Sequence, residues 1–264
     1  MDMQLNDRHA LVTGSTSGIG FAIARSLAAE GAKVTLTGRT QVRIDDALAK
    51  IRKQFPKAKV DGIAADCASA RGAQQVFDLV PEVGILVNNL GVYERKPFVD
   101  IDDDAWQRMF DVNVMSGIRF SRFYAPKMAK RGWGRVIFVS SESGLNIPPD
   151  MIHYGMSKSA QLSISRGLAV AYAGTGVTVN ALLPGPTRTD TTEQQRAGRA
   201  KAAGITVQQL EADFFVAQRP SSLLKRFANA DEVAPAAVYL CSPLSALTTG
   251  ATLRVEGGIV NQIM

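Results

Sequence analysis

The sequence predicts an α/β fold: one doubly wound domain in which a seven-stranded parallel sheet carries helices on both faces. Three observations lead there. Short β-branched or apolar runs alternate with longer stretches of helical periodicity along the whole chain. Strands separated by helices pair in parallel through right-handed crossovers, which places helices on both sides of the sheet. A glycine-rich turn stands between the first strand and the first helix, where such folds hold phosphate groups.

In chain order, the strand-like runs are 10–12, 33–36, 60–64, 85–87, 136–139, 177–182 and 252–255. Two helices are clear. One spans 20–30, with Ile23, Ala24, Leu27 and Ala28 on one face; the other spans 157–172, with Ala160, Ile164, Leu168 and Ala171. Seven strands and about six helices consume the chain, and no linker or repeat divides it, so residues 1–264 read as a single domain. One segment breaks the rhythm. Residues 190–224 are polar and helix-prone, with helices at 193–203 and 207–218 around Gly204. Such an excursion reads as a substrate lid or as a plain surface insertion. Phe214 and Phe215 within it either close over a substrate or dock their helix.

Hydrophobic residues make up 46% and charged residues 20%, a globular composition. The formal net charge of +6 raises the question of nucleic acid, but the basic residues are scattered among 24 acidic ones. The clusters Lys127, Lys130, Arg131, Arg135 and Arg196, Arg199, Lys201 read as solvated helix faces or ends. No nucleic-acid partner is expected, and no apolar run approaches bilayer length. Cys67, Cys241, His9 and His153 lack metal-ligand spacing, so no metal site is expected. Two isolated thiols and a start without a basic-then-apolar leader fit a cytoplasmic protein.

After the first strand comes Thr13-Gly14-Ser15-Thr16-Ser17-Gly18-Ile19-Gly20. Glycines there let the backbone turn sharply and approach a pyrophosphate, and the helix N-terminus offers unpaired N–H groups. An acid often ends the second strand and holds the adenosine ribose. Here Gly38 takes that place and Arg39 follows. A guanidinium pairs with a 2′-phosphate, so NADP(H) is favoured and NAD(H) stays open. Alternatively, Arg39 is only a solvated loop residue; Arg43 is a second candidate on an exposed helix face. Asp66, followed by Cys67, either accepts from the adenine amino group or caps the helix that begins near Ser69.

The strand 136–139 runs into Ser140-Ser141-Glu142-Ser143-Gly144. Tyr154 stands thirteen positions after Ser141, and Lys158 four after that, about one turn away on the same helix face. A phenol titrates near 10 and is a poor base at neutral pH. A neighbouring ammonium lowers that value, so the tyrosine can exchange a proton with a carbonyl or alcohol oxygen.

Together with Asn88-Asn89-Leu90-Gly91, Asp111-Val112-Asn113-Val114, Pro184-Gly185, Gly250 and Gly257-Gly258, these residues identify the chain as resembling the short-chain dehydrogenase/reductase family. The likeness runs from about residue 7 to residue 260 and includes 3-oxoacyl-thioester reductase-like members. The resemblance implies a Rossmann-type fold and a nicotinamide-dependent oxidoreductase acting on a small carbonyl or alcohol substrate. It makes Tyr154 the general acid/base, with Ser141 bonding the substrate oxygen. Lys158 would hold the nicotinamide ribose and depress the tyrosine pKa. Asn113 would sit in a slightly broken helix and hold a water that relays protons to Lys158. Gly14 through Gly20, Asn89 and Gly91 would pack along the cofactor, with Pro184, Gly185, Thr187 and Thr189 at its nicotinamide and diphosphate end. It implies a homodimer or homotetramer built on helices around 104–131 and 156–173. Leu90 and Glu256 depart from the usual alanine and aspartate. His153 touches substrate or faces solvent, and Pro148, Pro149, Met151, Tyr93 and Glu94 are candidate pocket walls. Two other readings, a non-catalytic dinucleotide sensor and an epimerase, fit less well, because Tyr154, Lys158 and Ser141 are all present and the C-terminal region is short.

Overall fold

The computed structural model describes residues 1–263, leaving aside the side chains of residues 190 and 191. Seven strands form one parallel sheet: β1 (His9–Val12), β2 (Lys33–Gly38), β3 (Val60–Ala64), β4 (Ile85–Asn88), β5 (Gly134–Val139), β6 (Val177–Pro184) and a last strand, Thr252–Val255, called β9. Two short strands outside it are β7 (Thr187–Arg188) and β8 (Ala228–Asn229). The spatial order is β3-β2-β1-β4-β5-β6-β9, with parallel register throughout. The order reverses between β1 and β4, so the loops after these two strands part and leave a crevice at their carboxyl ends.

Alternate residues of the central strands serve opposite faces. Val12, Val87, Ile137 and Val139 pack with Ile23 and Leu27 of α1 (Gly18–Ala29), Ile44 and Ile51 of α2 (Gln41–Gln54) and Val233 of α9 (Ala230–Cys241). Leu11, Leu86, Val136 and Phe138 face the other way, onto Val76 of α3 (Ala70–Leu79), Phe120 and Tyr124 of α5 (Ser116–Lys130) and Ala169 of α6 (Ile152–Ala171). This two-sided burial explains why the strands read as continuous apolar runs. Each large side chain buried here contributes roughly 1.5–3 kcal/mol.

The chain has more helices than the periodicity suggests. α4 (Asp103–Phe110) leads through a π-turn at Asp111–Met115 into α5. The excursion folds as α7 (Asp190–Ala203) and α8 (Val207–Ala217), joined at Gly204, whose φ of +67° closes the first helix. β7 and β8 pair with each other on either side of this unit and so draw its two ends together. α6 begins five residues earlier than its apolar periodicity implies, so Tyr154 and Lys158 both lie in its first two turns.

Each basic cluster holds one residue that is buried instead of solvated, while Lys130, Arg131, Arg199 and Lys201 are exposed as expected. Arg135 lies on β5, buried against the Trp133 ring at 4.8 Å, and donates to the carbonyl of Ser242 at 3.1 Å. Arg196 is buried in the excursion, with its guanidinium 4.1 Å from the Phe227 ring centre. In each case an aromatic face covers the guanidinium, with backbone carbonyls accepting from Arg135 and the Glu193 carboxylate paired with Arg196. Cys67 and Cys241 are both buried and unpaired. No helix among the described residues is long and apolar enough to cross a membrane.

Candidate active site

The crevice opens on a cavity of about 700 Å³ that runs from the glycine-rich turn to the excursion. Gly14, Ser17, Gly18, Ile19 and Gly20 form one end. Gly14 and Gly18 hold φ values of +61° and +59°, conformations that side chains resist. Ser17 precedes α1 without a side-chain capping bond, so the amide donors of the first turn stay open to the cavity. A dianionic diphosphate fits this end, because those donors and the helix dipole both favour negative charge.

Asn89 ties the two lips of the crevice together: its Nδ2 donates to the carbonyls of Thr13 and Gly14 at 2.9 and 3.0 Å. Leu90 fills the space over Gly14, where an added Cβ would stand 3.2 Å from its Cδ1. Ser15 plays a different part from its neighbours. It is fully buried, its Oγ donates to the Val12 carbonyl at 2.7 Å and accepts from Thr37 N at 3.1 Å, so its side chain staples the turn.

The adenosine-side candidates lie outside this cavity. Arg39 is exposed at the end of β2, and Arg43 is exposed on α2. An added Cβ at Gly38 would meet Thr16 Cγ2 at 2.5 Å, so that glycine is fixed by its neighbour. The cap of α3 is Ser69, which accepts from Gly72 N at 2.9 Å, and the carboxylate of Asp66 instead accepts from Ala68 N at 3.2 Å. The capping reading of Asp66 therefore falls. The Cys67 thiol is buried in the core, where burial raises it to about 11.

At the other end stand Ser141, Tyr154 and Lys158, all lining the cavity. The Ser141 hydroxyl accepts from Ser143 N at 3.1 Å and lines the same cavity as the Tyr154 phenol. Lys158 is buried, with Nζ 5.6 Å from the centre of the Tyr154 ring. Its ammonium donates to the Val139 carbonyl at 2.9 Å and to Gln161 Oε1 at 3.2 Å. Burial pushes Lys158 down to about 7 and Tyr154 up to about 12, with the Glu142 carboxylate adding to the rise of the phenol. The polypeptide alone thus does not lower the tyrosine as the spacing suggests. Desolvation dominates the phenol, and the Lys158 ammonium is aimed at the Val139 and Gln161 oxygens.

Asn113 sits in the π-turn, matching the expected broken helix. Its Oδ1 accepts from Val92 N at 2.7 Å, and its Nδ2 donates to Val92 O and Ser157 Oγ, both at 2.9 Å. The extra residue of the π-turn frees its carbonyl, and Gln161 Nε2 donates to that oxygen at 2.6 Å.

Pro184, Gly185, Thr187 and Thr189 line the cavity below the excursion. Thr189 also caps α7 by accepting from Thr192 N at 3.3 Å. Of the proposed walls, Tyr93 and Met151 line the cavity, and Tyr93 lies edge-on to Tyr154 at 6.3 Å. Glu94 is engaged elsewhere, accepting from Arg108 at 2.7 Å. His153 neither touches the cavity nor faces solvent: it is fully buried edge-on to Trp106 at 5.8 Å. The phenylalanines divide their labour. Phe214 lines the cavity, while Phe215 is buried and docks the helix against Phe227 at 5.2 Å. Glu256 accepts from the backbone N–H of Ile259 and Val260, holding the turn after β9.

One pair escaped the sequence reading. Glu142, next to Ser141, is buried and accepts through Oε1 from Arg219 Nε at 2.9 Å and Nη2 at 2.7 Å. Arg219 follows α8, so this ion pair bolts the end of the excursion to the loop that carries Ser141. Both residues line the cavity, with Arg95, Asp150, Gln195 and Gln218 completing a polar wall.

A profile of the short chain dehydrogenase family matches residues 8–200. The chain is 43% identical to the uncharacterized oxidoreductase YvaG of Bacillus subtilis, across 100% of both chains. It is 32% identical to a D-beta-hydroxybutyrate dehydrogenase of Cupriavidus necator, covering 98% of this chain and 100% of that one. Among solved structures, L-sorbose reductase from Gluconobacter frateurii, complexed with NADPH and L-sorbose, superposes over 100% of both chains with a TM-score of 0.92 at 28% identity. The chain belongs to the short-chain dehydrogenase family and is an oxidoreductase of CH–OH and C=O groups.

Proposed function

We propose that this short-chain dehydrogenase reduces a small, polar carbonyl compound with NADPH, and that Tyr154 delivers the proton. The observation that carries this reading is the convergence of Ser141, Tyr154 and Lys158 on one cavity that also receives the open N-terminus of α1. The dinucleotide, when bound, supplies the hydride. The Ser141 hydroxyl holds the carbonyl oxygen, and Tyr154 donates to the same atom as charge develops there. With its phenol raised to about 12, Tyr154 is protonated at neutral pH, the state a proton donor needs. Lys158 steadies the ribose with its remaining N–H and favours the phenolate that reduction leaves behind. Phe214 and the excursion cover the cavity and exclude water.

The polar wall of Glu142, Asp150, Gln195 and Arg219 supports a substrate with hydroxyl groups near the carbonyl. A relative that binds L-sorbose, superposing along the whole chain, agrees with that choice. Purified enzyme should reduce polyhydroxy ketones with NADPH at a kcat/KM at least about tenfold above apolar ketones of equal size, since unpaired polar groups reject apolar analogues. Equal or better reduction of the apolar ketones would contradict the substrate class. We further propose a homodimer or homotetramer in the cytoplasm. Phe110 and Val170, which end α4 and ride on α6, remain exposed at 36% and 63%.

A further inference from the structure

Gln161 lies one turn beyond Lys158 on α6 and is 1% exposed. Burying a primary amide is costly unless its groups are bonded. Here both ends are used: Nε2 donates to the Asn113 carbonyl at 2.6 Å and Oε1 accepts from Lys158 Nζ at 3.2 Å. Ser157, from the same helix, meets Asn113 Nδ2 at 2.9 Å, so α6 grips the π-turn at two points. An amide spans the route on which the resemblance places a water between Asn113 and Lys158.

We infer that Gln161 is a positioning residue: its side-chain amide holds the Lys158 ammonium against the β5 end and locks it to the π-turn at Asn113. This rests on the reading of Lys158 as the group that meets the cofactor ribose. Two of the three ammonium protons are fixed, by Val139 O and Gln161 Oε1, which leaves one directed donor for the cavity. The structural alternative is a core residue that fills space. It predicts lost stability but no change in how Lys158 titrates.

The other ionisable groups around this centre are Tyr154 on α6, Tyr93 against it, and the Glu142–Arg219 pair beside Ser141. None of them changes in the two variants that test the inference. Gln161→Met keeps the bulk and removes the acceptor, so the ammonium is held less well and Lys158 loses its proton at lower pH. Gln161→Glu sets a carboxylate against the ammonium, so the proton is held to higher pH.

The measurement is the pH dependence of NADPH affinity for free enzyme, read by quenching of nucleotide fluorescence, with melting temperature as the control for folding. Comparison with wild type cancels the ionisation of the nucleotide itself. The alkaline loss of affinity should move down by about one pH unit in Gln161→Met and up by about one in Gln161→Glu. In turnover, Gln161→Met should lower kcat about tenfold or more, with substrate KM within about threefold, as expected for a displaced proton-handling group. If Gln161→Met does not fold, the upward shift in Gln161→Glu decides. Midpoints that coincide with wild type in the folded variants would overturn the inference while leaving the proposed reaction standing. Wild-type enzyme that binds neither NADPH nor NADH would remove both.

Discussion

In the proposed reading, cofactor choice turns on Arg39. It is exposed at the carboxyl end of β2, where Gly38 supplies no carboxylate for the ribose hydroxyls. A charge-assisted bond to a 2′-phosphate is worth about 1.5–3 kcal/mol, or roughly 10–150-fold in affinity. Wild type should prefer NADPH over NADH by that factor, and Arg39→Ala should erase most of it by weakening NADPH alone. Titration of both nucleotides checks this; equal weakening of both would show that Arg39 does not read the phosphate. At this scale, the meeting of Ser141, Tyr154 and Lys158 at one strand end and one helix start was legible in the sequence, while Asn113 came only from the resemblance. Gln161 and the Glu142–Arg219 pair were not legible. Each depends on a contact across many positions, 48 between Gln161 and Asn113 and 77 between Arg219 and Glu142, and one buried polar residue in a helix gives no sign of its partner. His153 misled for the same reason: its neighbour Trp106 belongs to α4.

Among the elements, the excursion was readable as two helices around Gly204, but its attachment was not. Polar composition suggested a unit with little to hold it down. In the structure α8 is anchored by Phe215 in the core and by Arg219 on Glu142, and Glu211 accepts from Arg188 at 2.9 and 2.6 Å. α7 is held on the cavity side by the Tyr93 hydroxyl donating to Gln195 at 2.7 Å and by Arg196 on Phe227, and among the described residues it carries no ion pair to the Ser141 loop. Mobility should therefore concentrate in α7 and not in the whole of residues 190–224. Hydrogen exchange should slow in α7 when NADPH and substrate bind, while α8 changes little. Uniform protection of both helices with and without ligands would make the unit a static insertion. Arg219→Met tests the bolt. Removing one partner of a buried ion pair costs about 3–5 kcal/mol, so the variant should melt earlier, or exchange in α8 should quicken to match α7. Wild-type melting and exchange in Arg219→Met would leave the pair without a structural role.

At the scale of the whole molecule, the sheet was the most legible feature, since seven apolar runs separated by helical stretches admit few topologies. The order β3-β2-β1-β4-β5-β6-β9 then fixes where the crevice opens, and both halves of the proposed site follow from it. Assembly is a separate matter: light scattering at micromolar concentration should give two or four times the single-chain mass, and a mass of one chain would reject the oligomer. The account as a whole depends on Tyr154 as the proton donor in an NADPH-dependent reduction. Tyr154→Phe keeps the ring and removes the hydroxyl. With the best carbonyl substrate of the wild type, its turnover should fall by roughly 10²–10⁴-fold or more, while NADPH binds within about threefold of wild type because the ring and Lys158 remain. A variant that retained more than about half of the wild-type turnover, against that expected loss, would contradict the assignment at its centre.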